Sequence, residues 1–292
     1  MSYPEKHIAI VCNPTRENEK ALRVSNTVML QLKGLGIRHE LFVEPWPDHW
    51  DGYTEVWIMG GDGTVNYFIN QYPDCQLPLA VFAGGSGNDF HWMLYGDLSV
   101  ETQVENVLKA APQMIDAGRC NGKLFVNGVG IGFDGAIVKD LLGRKKLAGK
   151  ASYLLAIMKH IIGYHEKPCT LQMPGETFSK DCMLISVANA RRYGGGFHVA
   201  PKAMLNDGLL DINVVGKISP LQRMKYLPVM EKGAHLDLPF VDYRQKTEVK
   251  ITAPVKLHAH IDGEYIHETF FDITVLPNRF SFLFDPSSPA RK

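Results

Sequence analysis

Two glycine clusters carry the residue types that could do chemistry. Gly60-Gly61-Asp62-Gly63-Thr64 and Gly84-Gly85-Ser86-Gly87-Asn88-Asp89 would each let the backbone turn tightly and bring N–H groups close to an anion. Ser86, Asn88 and Asp89 add hydrogen-bonding groups suited to a nucleotide. Asp62 in such a loop would repel a bare phosphate, so its expected work is to orient a bound metal ion or a reacting hydroxyl. On the residues alone, Asn206-Asp207-Gly208 and Asp262-Gly263-Glu264 read as turns, Asp-Gly being a strong hairpin signal. His258 and His260 would share one strand face, and a strand with a polar outer face explains them better than a metal pair. There is no G-x-x-x-x-G-K-[ST], and no G-x-G-x-x-G after the first strand. A P-loop NTPase and an ordinary dinucleotide dehydrogenase are therefore not expected.

The elements that must position these residues follow from the hydrophobic pattern. His7 to Cys12, Ile37 to Val43, Glu55 to Met59 and Leu77 to Ala83 read as strands, with helices over about Asn18 to Leu35, Val65 to Asn70 and Val100 to Ala111. Strand, glycine-rich turn and helix in repetition predict a parallel α/β sheet, whose ligands sit beyond the carboxyl ends of the strands, where both clusters fall. From Lys123 onward strand patterns dominate, at Lys123 to Gly128, Cys182 to Ala188, Leu209 to Val215, Glu248 to Thr252, Lys256 to Ile261, Thr269 to Leu276 and Arg279 to Phe284. Only Leu147 to Tyr164 and Pro220 to His235 read as helices there, so an antiparallel β-rich domain is expected.

The chain has 292 residues, 45% hydrophobic and 21% charged, which excludes a disordered, collagen-like or coiled-coil protein. Its most apolar stretch, Ser152 to Gly163, contains Lys159 and His160 and is too short to span a bilayer. Met1 to Glu5 lacks a signal-peptide pattern, and five cysteines at irregular spacing read as reduced thiols, so a cytoplasmic location is expected. The charge is balanced only in total. Residues 1–117 hold 7 Lys+Arg against 15 Asp+Glu, a net of −8, and residues 118–292 hold 24 against 16, a net of +8. Arg144-Lys145-Lys146 and Lys150, beside the apolar run Tyr153 to Ile162, would either meet an anionic membrane or form a solvated loop ahead of a core helix.

GGDGTVN (residues 60–66) followed by GGSGNDF (84–90) resembles the diacylglycerol kinase catalytic family, the lipid kinases that include sphingosine and ceramide kinases and small bacterial relatives. The resemblance continues in order through NGVGIGFDGAIV (127–138), GKASY (149–153), GGGFHVAPKAMLNDGLLDI (194–212) and IDGE (261–264). It implies an α/β nucleotide-binding domain over 1–117, completed by about 279–292, and a C-terminal β-sandwich over 118–278 for the lipid. This is the two-domain plan shared with NAD kinase. By the same resemblance Asn13, Gly60, Gly61, Asp62, Gly63, Thr64, Asn66 and Ser86, with Asn88 and Asp89 beside them, would hold ATP, and Glu264 would accept the proton. Met204, Asp207 and Leu209 would bind Mg²⁺, two of them through carbonyls. The expected partner is a lipid substrate at a membrane surface, met peripherally. Nucleic acid is not expected, and a homodimer is left open. NAD kinase and a catalytically impaired nucleotide- or lipid-binding regulator are the alternatives.

The departures from the family pattern fall in the first domain. Tyr67 stands where Glu is usual, His91-Trp92 replaces Ala-Arg, and the Gly expected after Asn13-Pro14 is missing. The helix expected after the second strand is reduced to Glu44 through Asp51.

Overall fold

The computed structural model describes residues 5–12, 19–142 and 150–287. The chain packs as two compact units, one of residues 1–115 with 279–292 and one of residues 116–278.

In the first unit, β1 (His7–Cys12), β2 (Arg38–Val43), β3 (Glu55–Gly60) and β4 (Leu79–Ala83) form a parallel sheet in the order β4-β3-β1-β2. β3 is buried throughout and β1 nearly so, which is why both read as unbroken apolar runs. The sheet is accompanied by α1 (Glu19–Gly34), α2 (Asp62–Gln71), α3 (Asp89–Tyr95) and α4 (Val100–Lys109). α2 begins at Asp62, not at the expected Val65, so Asp62 and Gly63 belong to its first turn. Glycine is tolerable there because first-turn N–H groups have no intrahelical partner to hold in place. The returning end of the chain joins this sheet. Phe282 pairs in parallel with Leu79, and the Tyr95 hydroxyl donates to the Leu283 carbonyl at 3.0 Å.

The second unit continues β5 (Pro112–Cys120) into β6 (Lys123–Phe125), β7 (Gly128–Gly132), α5 (Phe133–Leu141), α6 (Lys150–Gly163), β8 (Lys167–Met173) and β9 (Glu176–Ala188). β10 (Leu210–Gly216), α7 (Pro220–Glu231), β11 (Val241–Lys246), β12 (Glu248–Ile261) and β13 (Glu264–Leu283) follow. Two long strands each serve two partners. β9 pairs with β8 over 176–182 and with β7 over 184–188, and β12 pairs with β8 over 250–252 and with β7 over 259–261. They fold around one apolar core that includes Phe125, Ile185, Leu210, Ile251 and Phe271, which makes this unit the expected β-sandwich. Glu248 to Thr252 and Lys256 to Ile261, which read as two strands, are one strand with a register shift between Thr252 and Leu257. Pro254 lies at that irregularity and does not end the strand.

Candidate functional site

The two glycine clusters lie against each other at the carboxyl ends of β3 and β4. A Cβ on Gly61 would come within 2.7 Å of the Gly87 carbonyl oxygen, and one on Gly85 within 2.4 Å of the Gly61 Cα. Close backbone contact, as well as any ligand, therefore requires glycine at both places. Asp62 locks the two loops together: the N–H groups of Asp89 and Phe90 donate to its Oδ2 and Oδ1 at 3.1 and 2.9 Å. Its carboxylate thus closes the start of α3, a structural task that the loop sequence did not reveal. Asn88 is knitted into its own loop through reciprocal bonds with Gly85 at 2.9 and 3.0 Å. Asp89 and Asn66 are buried, and Asn70 donates to the Asn66 carbonyl at 2.9 Å. Of the residues expected to hold a nucleotide, Gly63 and Ser86 are exposed and Thr64 is half-buried. α2 has no side-chain cap on Gly61, so its positive end is available to an anion beside Gly63. Asn13 lies outside the described residues, as do Arg144 to Lys146 and Gly149.

The departures in this unit form aromatic structure. The segment after β2 carries Trp46 and Trp50, which pack on Phe68 of α2 and on Tyr72 just past its end, and Tyr72 donates to the Pro47 carbonyl at 2.8 Å. Trp46 also meets the exposed Tyr67 ring edge-on at 5.3 Å and donates its indole N–H to the Cys12 carbonyl at 3.2 Å. His91 is buried beside Gln103, with 2.9 Å between its Nε2 and Oε1.

In the second unit, Asp262 and Gly263 make the hairpin turn between β12 and β13, both at positive φ, with Ile261 and Glu264 as the closing pair. The buried Asp262 carboxylate accepts three backbone N–H groups, from Val126, Asn127 and Gly128, at 2.8 to 3.0 Å. That anchorage fixes the turn and leaves Glu264 exposed at its far side. The turn and the candidate base are the same feature.

The Asn206-Asp207-Gly208 loop is organised by Asp116, which sequence reasoning missed. Its buried carboxylate accepts N–H groups from Gly208 at 2.7 Å and Asn278 at 2.8 Å. Burial raises the Asp207 carboxyl above its usual range, and the Asp116 carboxylate adds to the shift. A divalent cation would relieve that cost. One carboxylate with the Met204 and Leu209 carbonyls and water is the hard oxygen set that Mg²⁺ takes, so the expected residues fit the ion. Among the described residues there is no cluster of three or more His, Cys, Asp or Glu for a metal, so His258 and His260 do not form one. They share a strand face, but not a polar outer one. His260 is buried, its ring edge-on to Tyr193 at 5.1 Å, and burial pushes its pKa down to about 4. Gly130, its cross-strand partner, leaves room for it: a Cβ there would lie 2.4 Å from His260 Nε2.

Beside His260, Tyr193 donates to the Asp134 carboxylate at 2.9 Å. Burial pushes Asp134 up to about 6, against the opposing effect of that hydroxyl. Asp134 borders a largely apolar cavity of about 60 Å³ under α6 and α7, walled by Ile157, Ile161, Met183, Val199, Leu227 and Phe240, with Arg223 and Tyr226 also on its lining. Its one signal in the sequence is an aspartate placed directly after Phe133 in an apolar run.

Residues 7–120 match the diacylglycerol kinase catalytic domain, and residues 127–284 match the YegS C-terminal NAD kinase beta sandwich-like domain. The chain belongs to the diacylglycerol kinase and YegS-like family of lipid kinases. Among its relatives, the chain is 27% identical to the "Probable lipid kinase YegS-like" of Shewanella frigidimarina over 82% of its length and 79% of the relative's. It is 28% identical to a diacylglycerol kinase of Mycobacterium tuberculosis over 77% and 75%. The solved structure of a diacylglycerol kinase from Bacillus anthracis superposes with a TM-score of 0.74 at 19% identity, covering 98% of this chain and 99% of that one. Yeast NADH kinase shares the chain's fold more distantly, with a TM-score of 0.57 at 9% identity over 98% and 85%.

Proposed function

We propose that the protein transfers the γ-phosphoryl group of ATP, with Mg²⁺, to a hydroxyl of diacylglycerol or a related single-headed lipid. The observation that carries this reading is the apolar cavity bordered by Asp134. Its nearly apolar lining suits hydrocarbon better than a nicotinamide dinucleotide, although at about 60 Å³ it has to widen to admit an acyl chain.

Phosphoryl transfer is mostly positioning and charge neutralisation. The N-terminus of α2 and the backbone of residues 60–64 would cradle the phosphates, with Ser86 alongside. Asp62, whose carboxylate is engaged by α3, acts as a positioning residue that holds the two loops in register. Glu264 takes the proton from the attacking hydroxyl as the new O–P bond forms and ADP departs. Asp207, with the Met204 and Leu209 carbonyls, would hold Mg²⁺, which when bound supplies positive charge against this acidic loop.

Radiolabel transfer from ATP to a panel of lipids, with NAD as a further acceptor, tests the reading. Labelled lipid well above a Glu264→Ala control is expected. Labelled NADP would reassign the protein to the NAD kinases, and nucleotide or lipid binding without any turnover would make it a regulator.

A further inference from the structure

Packing within the first unit does not explain the open ring of Tyr67. It is 42% exposed, while Phe68 beside it on α2 is fully buried. Tyr67 stands four residues after Gly63, so the two share a helix face. That face is open: Gly63, Tyr67 and Asn70 are exposed, whereas Val65, Asn66, Phe68 and Ile69 are buried. Trp46 makes a corner with it. The indole meets the Tyr67 ring at 5.3 Å and 64°, and its N–H donates to the Cys12 carbonyl at the carboxyl end of β1. Cys12 is paired in register with Met59, the residue before Gly60, so the corner and the first glycine cluster lie at the same end of adjacent strands. Behind the corner, Trp50, Phe68 and Tyr72 pack on one another, and Phe68 and Tyr72 back the Trp46 ring.

The charge around the corner narrows what it can hold. Glu44, Asp48 and Asp51 are exposed in the segment that carries Trp46, and residues 44–51 include no Lys or Arg. An anionic group would be repelled there, whereas an uncharged heteroaromatic ring can lie on the Tyr67 face with its edge toward Trp46. A nucleotide whose phosphates sit at the first turn of α2 and which extends along the open face brings its base to Tyr67, one helical turn on. We propose that Tyr67 and Trp46 hold the base of the phosphate donor, and that this corner makes the protein favour purine over pyrimidine nucleotides. The larger ring covers more of both aromatic surfaces, and stacking of a base on an aromatic side chain is a sizeable share of nucleotide affinity. The proposal rests on the reading of a nucleoside triphosphate as donor and adds the residues that select it.

The test is calorimetric binding of ADP, UDP and inorganic tripolyphosphate, each with Mg²⁺, to the full chain as wild type, Tyr67→Ala and Tyr67→Phe. Wild type is expected to bind ADP about tenfold more tightly than UDP, a comparison that needs no variant. Tyr67→Ala should weaken ADP about tenfold and remove most of that preference, and Tyr67→Phe should restore both. Tripolyphosphate, which has no base, should bind all three proteins alike. ADP binding unmoved by Tyr67→Ala would overturn the proposal, and so would wild type that binds ADP and UDP equally. A loss for tripolyphosphate as large as that for ADP would overturn it by giving Tyr67 a purely structural task in the loop. ADP binding that depends on Tyr67, with no lipid phosphorylated, would uphold the corner and refute the lipid-kinase reading. Phosphorylated lipid with ADP binding indifferent to Tyr67 would do the reverse, and wild type that binds none of the three ligands would refute both.

Discussion

Oδ1 of Asp62 accepts the backbone N–H of Phe90 at 2.9 Å, so the first residue of α2 closes the N-terminus of α3. Asp62→Asn keeps the size but replaces one accepting oxygen by a donor that faces an N–H group. We expect the first unit to lose about 1–2 kcal/mol, as for other charge-assisted caps, and turnover to fall about tenfold or more as the loops lose register. Tryptophan fluorescence during urea unfolding reports this unit alone, because Trp46, Trp50, Trp57 and Trp92 all belong to it. An unmoved transition would mean that the cap contributes nothing in solution.

Asp262 and Glu264 are two residues apart, and their tasks separate cleanly. Glu264 is exposed, so Glu264→Gln should leave stability unchanged while phosphoryl transfer drops by about 10²-fold or more. Asp262→Asn removes a carboxylate that accepts three backbone N–H groups, and should cost about 1–3 kcal/mol in the second unit together with activity. Paired denaturation and initial-rate measurements distinguish the two, and a Glu264→Gln protein with wild-type rates would remove it as the base.

Two buried groups in the second unit oppose each other on acidification. His260 has its pKa depressed to about 4 by burial, so the unfolded chain takes up that proton first. Its contribution is present above the ordinary histidine value near 6.5 and is lost as pH falls toward 4. Asp134, raised to about 6, is protonated first in the folded state, so its contribution is present below the ordinary carboxyl value and lost as pH rises through 6. His260→Gln should therefore flatten the acid-side loss of stability between pH 6.5 and 4, and Asp134→Asn should steepen it. Circular dichroism of the strands gives the readout, since the tryptophans do not report this unit. Identical slopes in all three proteins would refute the assignment.

Val199 lines the cavity without touching its polar edge through any hydrogen bond of its side chain. Val199→Phe should fill part of the open space and raise KM for a long-chain acceptor about tenfold, equivalent to about 1.4 kcal/mol, with KM for ATP unchanged. An unaltered KM for the lipid would place the acyl chain elsewhere.

Much of this architecture was legible in the sequence because local patterns and tertiary roles agree. β1 and β3 are apolar since they are buried on both faces, and Asp262-Gly263 reads as a turn because two successive positive φ angles are needed there. The roles of Asp62, Asp116 and Asp134 were not legible, because each is defined by partners far along the chain. Phe90, Asn278 and Tyr193 lie 28, 162 and 59 residues away. His260 was misjudged for a related reason: period-two alternation gives the face of a strand but not what covers it, and here Tyr193 and α5 do. Trp46 and Tyr67 looked like departures from a pattern, and their mutual packing became visible only in three dimensions.

The pairing of Phe282 with Leu79 also has a consequence during protein synthesis. Residues 279–283 leave the ribosome after every strand of the second unit has been made, so the sheet that carries Asp62 must wait, one edge unfilled, through about 160 further residues of translation. The first unit starts folding early and finishes last. Tethered to a stalled ribosome through a linker long enough to clear the exit tunnel, residues 1–278 should therefore display a complete sandwich and a protease-sensitive first unit.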